Sequence, residues 1–154
     1  MTNNVRVVMD TNVVVSAALL PRSIPRQAFD RALEHGTLLM SSATVPELND
    51  VLRRPRFDPY VHEDERLEFL ATLVRDAELV EVTAVVTDCR DPKDNKFLEL
   101  ALNGKATHIV RGDEDLLVLH PFRGIPVLTP QGFVAQWEGE EQPDLPGNQG
   151  SETT

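Results

Sequence analysis

The chain has 154 residues, 41% hydrophobic and 26% charged, the balance of one globular domain, and no window holds the ~20 apolar residues of a bilayer-spanning helix. Its single cysteine, Cys89, leaves no internal disulfide to form, and no cysteine or histidine spacing of the zinc type occurs. The net charge of -10 argues against broad capture of nucleic acid, but five of the 25 acids follow Trp137 with no Lys or Arg among them, which leaves residues 1–137 at -5.

Val5-Arg6-Val7-Val8-Met9 is a β-branched run closed by Asp10, the pattern of a buried strand leading into a polar turn. This stretch is too short and too soon interrupted for a signal peptide, so secretion is not expected, and the single cysteine suits a reducing cytoplasm. Ile24 to His35 sets Ala28, Phe29, Ala32 and Leu33 on one helical stripe, with Pro25 in the first turn and Gly36 past the end. A short strand follows over Thr37–Met40, then a helix over Ser42–Arg53 that Pro55 terminates. The next helix spans Glu63–Asp76, with Leu67, Leu70, Leu73 and Val74 inward, and Glu78–Val82 is a strand.

Asp91-Pro92 opens a helix whose stripe is Phe97, Leu98, Ala101 and Leu102 and whose stop is Gly104. A strand over Thr107–Val110, a short helix over Asp113–Leu119, a strand over Pro126–Leu128 and a helix over Pro130–Trp137 complete the series. Residues 138–154 are acidic and rich in Pro and Gly, and are expected to be a disordered tail to a domain of residues 1–137. The alternation of strands and helices predicts a three-layer α/β/α sandwich with a mainly parallel central sheet. In such sheets ligands bind beyond the carboxyl ends of the strands, where Asp10 and Asp113 would meet.

Four segments carry the functional signal: Val8-Met9-Asp10-Thr11-Asn12, Val45-Pro46-Glu47-Leu48, Asp91-Pro92-Lys93-Asp94-Asn95-Lys96 and Val110-Arg111-Gly112-Asp113-Glu114-Asp115-Leu116-Leu117. Each alone has a structural explanation. Asp10 can be a turn residue, Glu47 can close a capping box with Thr44, Asp94 can do the same after Asp91, and Asp113 and Asp115 can cap the following helix. Taken in order, the set resembles a PIN-domain ribonuclease over about residues 5–137, in particular the branch of toxins from toxin–antitoxin pairs.

The resemblance implies a PIN-like fold and a Mg²⁺- or Mn²⁺-dependent endoribonuclease, with Asp10, Glu47, Asp94 and Asp113 as catalytic metal-binding acids. Asp115 would be a fifth ligand, and Thr11 and Asn12 would orient a ligand or water. Acids suit this chemistry because hard divalent ions take oxygen donors and can both activate water and screen a phosphate. The resemblance further implies a single-stranded RNA substrate, a small cognate antitoxin and a homodimer, while the lack of a long apolar window leads to the expectation of no membrane association. Without metal, clustered carboxylates should repel, so Asp94→Asn is expected to raise the melting temperature of the metal-free protein.

The pattern breaks at one position. Resembling proteins carry Ser or Thr before the Gly-Asp pair, whereas this chain has Arg111. Arg111 either contacts a substrate phosphate or pairs with the acids in competition with a metal, and the sequence leaves both open. Arg53, Arg54 and Arg56, beside Phe57, form a basic cluster that either binds RNA or complements a helix dipole. His108 is expected to pack in the core, Trp137 to anchor the last helix, and Cys89 to be inert. Two other functions fit parts of the pattern: a catalytically inactive RNA- or protein-binding module, favoured if Arg111 sits where metal would, and a Mg²⁺-dependent phosphatase using Asp10. The phosphatase reading is weakened by Asn12, which stands where the common haloacid-dehalogenase pattern has a second Asp.

Overall fold

The run of β-branched residues at the start folds as the centre of a sheet. In the computed structural model, which describes residues 4–87, 91–112 and 117–138, Val5–Met9 forms β1. Its parallel neighbours are β2 (Gly36–Met40) on one side and β4 (His108–Val110) on the other. The edges are β3 (Glu78–Leu79), parallel to β2, and β5 (Val127–Leu128), parallel to β4. The order β3-β2-β1-β4-β5 is parallel throughout, as the alternation of elements predicts. β3 is shorter than expected: Val80 still donates to the Met40 carbonyl at 2.8 Å, but the chain then leaves the sheet edge.

Because side chains alternate along a strand, β1 serves two cores. Val7 and Met9 join Leu38, Met40 and Val110 on one face, under α1 (Thr11–Leu19), α2 (Ile24–His35), α3 (Thr44–Leu52), α4 (Glu63–Asp76) and α6 (Pro130–Ala135). Val8 joins Leu39, Ile109 and Val127 on the other face, under α5 (Asn95–Asn103). Val7 and Val8 are both fully buried, each contributing roughly 1.5–3 kcal/mol of transfer free energy. Gly36 is required where β2 approaches β1, since a Cβ there would lie 1.8 Å from the Val5 carbonyl oxygen.

Three helices also differ from the sequence expectation. The turn expected after Asp10 is instead the start of α1. Val13, Val14 and Val15 are poor helix formers, and the helix buries them with Thr11 and Ala17, so it has no polar face to set a period. Within α2, Leu33 stays exposed while Ala28, Phe29 and Ala32 are buried. In α4 the inward stripe is Leu70 and Leu73 together with Arg66, a fully buried cation, while Leu67 and Val74 are only partly covered.

The last helix is docked as expected. Thr129 caps α6 by accepting from the Gly132 amide at 3.1 Å. Trp137 then stacks on His35 at 4.6 Å and meets Phe133 edge-on at 4.7 Å. His108 packs edge-on against Phe133, and burial pushes its pKa down. Among the described residues no helix is long and apolar enough to cross a membrane. Cys89, Asp113 to Leu116 of the expected short helix, and residues 139–154 lie outside the described residues.

Candidate metal and phosphate cleft

Ligand sites in parallel sheets form where neighbouring strands lead their connections to opposite sides, and β1 is such a strand, between β2 and β4. A cleft of ≈ 340 Å³ opens there, beyond the carboxyl ends of β1 and β4. Its wall includes Asp10, Thr11, Asn12, Glu47, Asp91 and Asp94, with Arg54, Lys93 and Arg111 among them.

Asp10 enters the cleft from the end of β1 and has two tasks. Its Oδ1 accepts from the Val13 amide at 2.8 Å and so caps α1, which fixes the plane of the carboxylate. Its Oδ2 faces the guanidinium of Arg111, whose Nε lies 3.1 Å away. Both residues are buried, at 4% and 5% exposure. Their meeting follows from strand register: Met9 pairs with Val110, so the residues that follow stand side by side. Backbone bonds hold both, with the Asp10 amide donating to the Val110 carbonyl at 3.3 Å and the Arg111 amide to the Leu128 carbonyl at 2.8 Å.

Asp94 arrives from the 3₁₀ turn Pro92–Asp94 that leads into α5. Asp91 caps that turn by accepting from the Lys93 amide at 3.1 Å, whereas the Asp94 side chain makes no capping bond. Instead Asp94 Oδ1 lies 3.2 Å from Arg111 Nη1, so one guanidinium bridges Asp10 and Asp94. The Arg111 guanidinium carbon also stands 5.8 Å from the centre of the Phe97 ring. Glu47 projects from α3, and the capping-box explanation does not describe it: the first turn is held by Ser41, whose Oγ accepts from the Thr44 amide at 3.2 Å. Glu47 Oε1 pairs with Lys96 Nζ at 2.7 Å, and Lys96 also donates to the Lys93 carbonyl.

These pairings overturn one expectation. Asp94 faces a cation rather than unscreened carboxylates, so the premise that its removal would relieve repulsion in the metal-free protein fails. Of the basic cluster, Arg54 lines the cleft, while Arg53 turns to Asn49 and Glu63 and Arg56 lies over the Phe57 ring. Thr11 is buried in the wall and Asn12 is exposed at it. Asp113 and Asp115 lie outside the described residues.

Sequence reasoning passed over Lys93, Lys96 and Phe97, which meet the acids only through tertiary packing. It also passed over Arg66. That side chain donates from Nε to the Leu52 carbonyl at 2.6 Å, to the Val61 and Arg54 carbonyls, and from Nη2 to Asp58 Oδ1 at 3.0 Å. It thereby ties down the segment from Arg54 to Val61 beside the cleft. Its position four residues before Leu70 and seven before Leu73, in phase with the apolar stripe, was the available signal.

A PIN-domain family model matches residues 6–115, and the chain belongs to the PIN-domain family. Its members are generally nucleases that use divalent metals. The protein MJ1680 of Methanocaldococcus jannaschii is 28% identical over 144 residues, covering 87% of this chain and 92% of that protein. Two solved structures share the fold. VapBC2 from Rickettsia felis, bound to a DNA fragment from their promoter, aligns at TM-score 0.50 and 14% identity over 80% of this chain and 96% of that chain. FitAcB from Neisseria gonorrhoeae aligns at TM-score 0.51 and 16% identity, over 81% and 98%.

The donors fit a divalent ion in kind: Asp10, Glu47 and Asp94 offer hard carboxylate oxygens on one cleft. In arrangement, cationic side chains already stand against all three, and among the described residues no group of three acids or histidines is spaced to hold an ion.

Proposed function

We propose that the protein is a Mg²⁺- or Mn²⁺-dependent endoribonuclease acting on single-stranded RNA, the toxin of a toxin–antitoxin pair. The observation that carries this reading is the convergence of Asp10, Glu47 and Asp94, from three distant segments, on one cleft in a chain of the PIN-domain family. Asp10, Glu47 and Asp94, with Asp113 and Asp115, would hold the ion. When bound, it would lower the pKa of water and screen charge on the phosphate during hydrolysis.

The chain's own residues would do the rest. Capping of α1 holds the Asp10 carboxylate in one orientation, so that Oδ2 stays turned to the cleft. Arg54 and Lys93, in the cleft wall, supply charge for phosphate oxygens of the RNA backbone. Thr11 and Asn12 offer hydroxyl and amide groups to orient a ligand or water. The work is done in the cytoplasm, the setting a chain with one cysteine suits, with a small antitoxin protein as partner and a homodimer as the assembly; these last two rest on the sequence resemblance.

Arg111 favours a second reading, an RNA- or protein-binding module without cleavage, because its guanidinium lies between two of the acids. One experiment separates them. Total cellular RNA is incubated with the protein in Mn²⁺, in Mg²⁺ and in EDTA, and new ends are mapped by sequencing. Discrete internal cuts that need the ion and vanish in Glu47→Gln support the nuclease. RNA retained on the protein with no new ends in any condition supports the binding module and ends the nuclease reading.

A further inference from the structure

We infer that Arg111 is the resident counter-ion of the cleft, and that its guanidinium and a divalent ion at Asp10 and Asp94 exclude each other. The inference deepens the proposed function and rests on it for the location of the ion. It begins with the oxygens. Asp10 Oδ1 is engaged by the Val13 amide, so Oδ2 is the oxygen turned to the cleft, and that is the oxygen Arg111 Nε meets at 3.1 Å. On the other side Nη1 meets Asp94 Oδ1 at 3.2 Å. A divalent ion held by Asp10 and Asp94 would need the same carboxylate oxygens that the guanidinium already faces.

Arg111 is also held where it stands. Its backbone amide is bonded to the Leu128 carbonyl of β5, and the register of Met9 with Val110 sets it beside Asp10 just past the end of β1, so the side chain starts beside the carboxylate rather than reaching it from afar. It is 5% exposed and rests against the Phe97 face, so leaving means turning a buried charge away from both partners. Charge balance points the same way. Among the described residues Asp10 and Asp94 both stand against Arg111, and Glu47 stands against Lys96. A cleft whose acids already have cations attracts a free divalent ion weakly.

Arg111 therefore sets the metal affinity of the site, and Arg111→Thr, which restores the small hydroxyl typical of resembling proteins, should raise it. Mn²⁺ binding is measured by loss of the free-ion paramagnetic resonance signal, and melting temperatures are taken in EDTA and in Mn²⁺. The expected result is an Arg111→Thr protein that binds Mn²⁺ about tenfold or more tighter than wild type. It should melt below wild type in EDTA and gain more from Mn²⁺. Arg111→Lys, whose ammonium reaches one carboxylate at a time, guards against a variant too unstable to handle and should fall between the two. Equal, tight Mn²⁺ binding by all three proteins overturns the inference and leaves the metal-dependent reading standing. No binding by any of them at millimolar Mn²⁺ overturns both.

Discussion

Arg66 and Arg111 are both buried arginines, and the difference lies in what receives them. Arg66 gives its hydrogen bonds to the carbonyls of Leu52, Val61 and Arg54 and to one carboxylate, Asp58, that is 58% exposed. Arg111 is set between two carboxylates that are largely buried. A carbonyl is neutral and is left unpaired if its donor departs, so the Arg66 region is a tie within the fold. A buried carboxylate needs a cation but not a particular one, so the Arg111 region is a place where one cation can replace another.

That contrast is broken first at Arg66. Arg66→Ala would strand the Leu52 and Val61 carbonyls and empty a filled volume, and should cost about 3–5 kcal/mol in urea denaturation. The loss should be the same in EDTA and in Mn²⁺, because no carboxylate of the cleft is involved. Asp58→Asn should cost less than about 1 kcal/mol, since that partner is exposed. A larger effect from Asp58 than from Arg66 would mean that charge rather than carbonyl satisfaction holds the segment.

The cleft gives smaller effects with a sharper signature. Asp10 uses one oxygen for the Val13 amide and the other for Arg111, so Asp10→Asn must turn its amide nitrogen toward one of two donors. It should cost about 2–4 kcal/mol in EDTA. Asp94→Asn keeps an oxygen for Arg111 and should cost about 1–2 kcal/mol. Its melting temperature in EDTA should fall below that of wild type. A rise would restore the repulsion argument and remove Arg111 from its place between the acids.

The reversal at Asp94 shows what sequence could and could not supply. The strands were legible because β1, β2 and β4 are apolar runs bounded by polar or glycine residues, and the acids because each follows such a run or opens a helix. Helix α1 was hidden since Val13, Val14 and Val15 disfavour a helix locally and are held in one by burial and the Asp10 cap. The partners of the acids were hidden for another reason. Arg111 is about a hundred positions from Asp10, and only the parallel register Met9 with Val110 makes them neighbours. Lys96 and Glu47 meet across α5 and α3, with no spacing along the chain to signal it.

A third arginine tests whether burial, and not the carboxylate as such, gives Arg111 its weight. Arg6 on β1 donates two hydrogen bonds to Glu78 at 2.9 Å each and a third to the Gly104 carbonyl. The pair is part-exposed, at 32% and 46% of the side chains. The hydrogen bonds from Arg6 hold the Glu78 pKa below the ordinary glutamate value and in turn raise that of Arg6. A carboxylate whose folded pKa is lowered adds stability that is present above its unfolded value and lost as pH falls through the folded one. Glu78→Gln should therefore cost less than about 1 kcal/mol near neutral pH, and the difference from wild type should close in acid and in about 1 M NaCl. The geometry of this pair is better than that at Arg111, with both guanidinium nitrogens on one carboxylate. If its removal nonetheless costs less than Asp94→Asn, exclusion of water is what makes the cleft's cation matter.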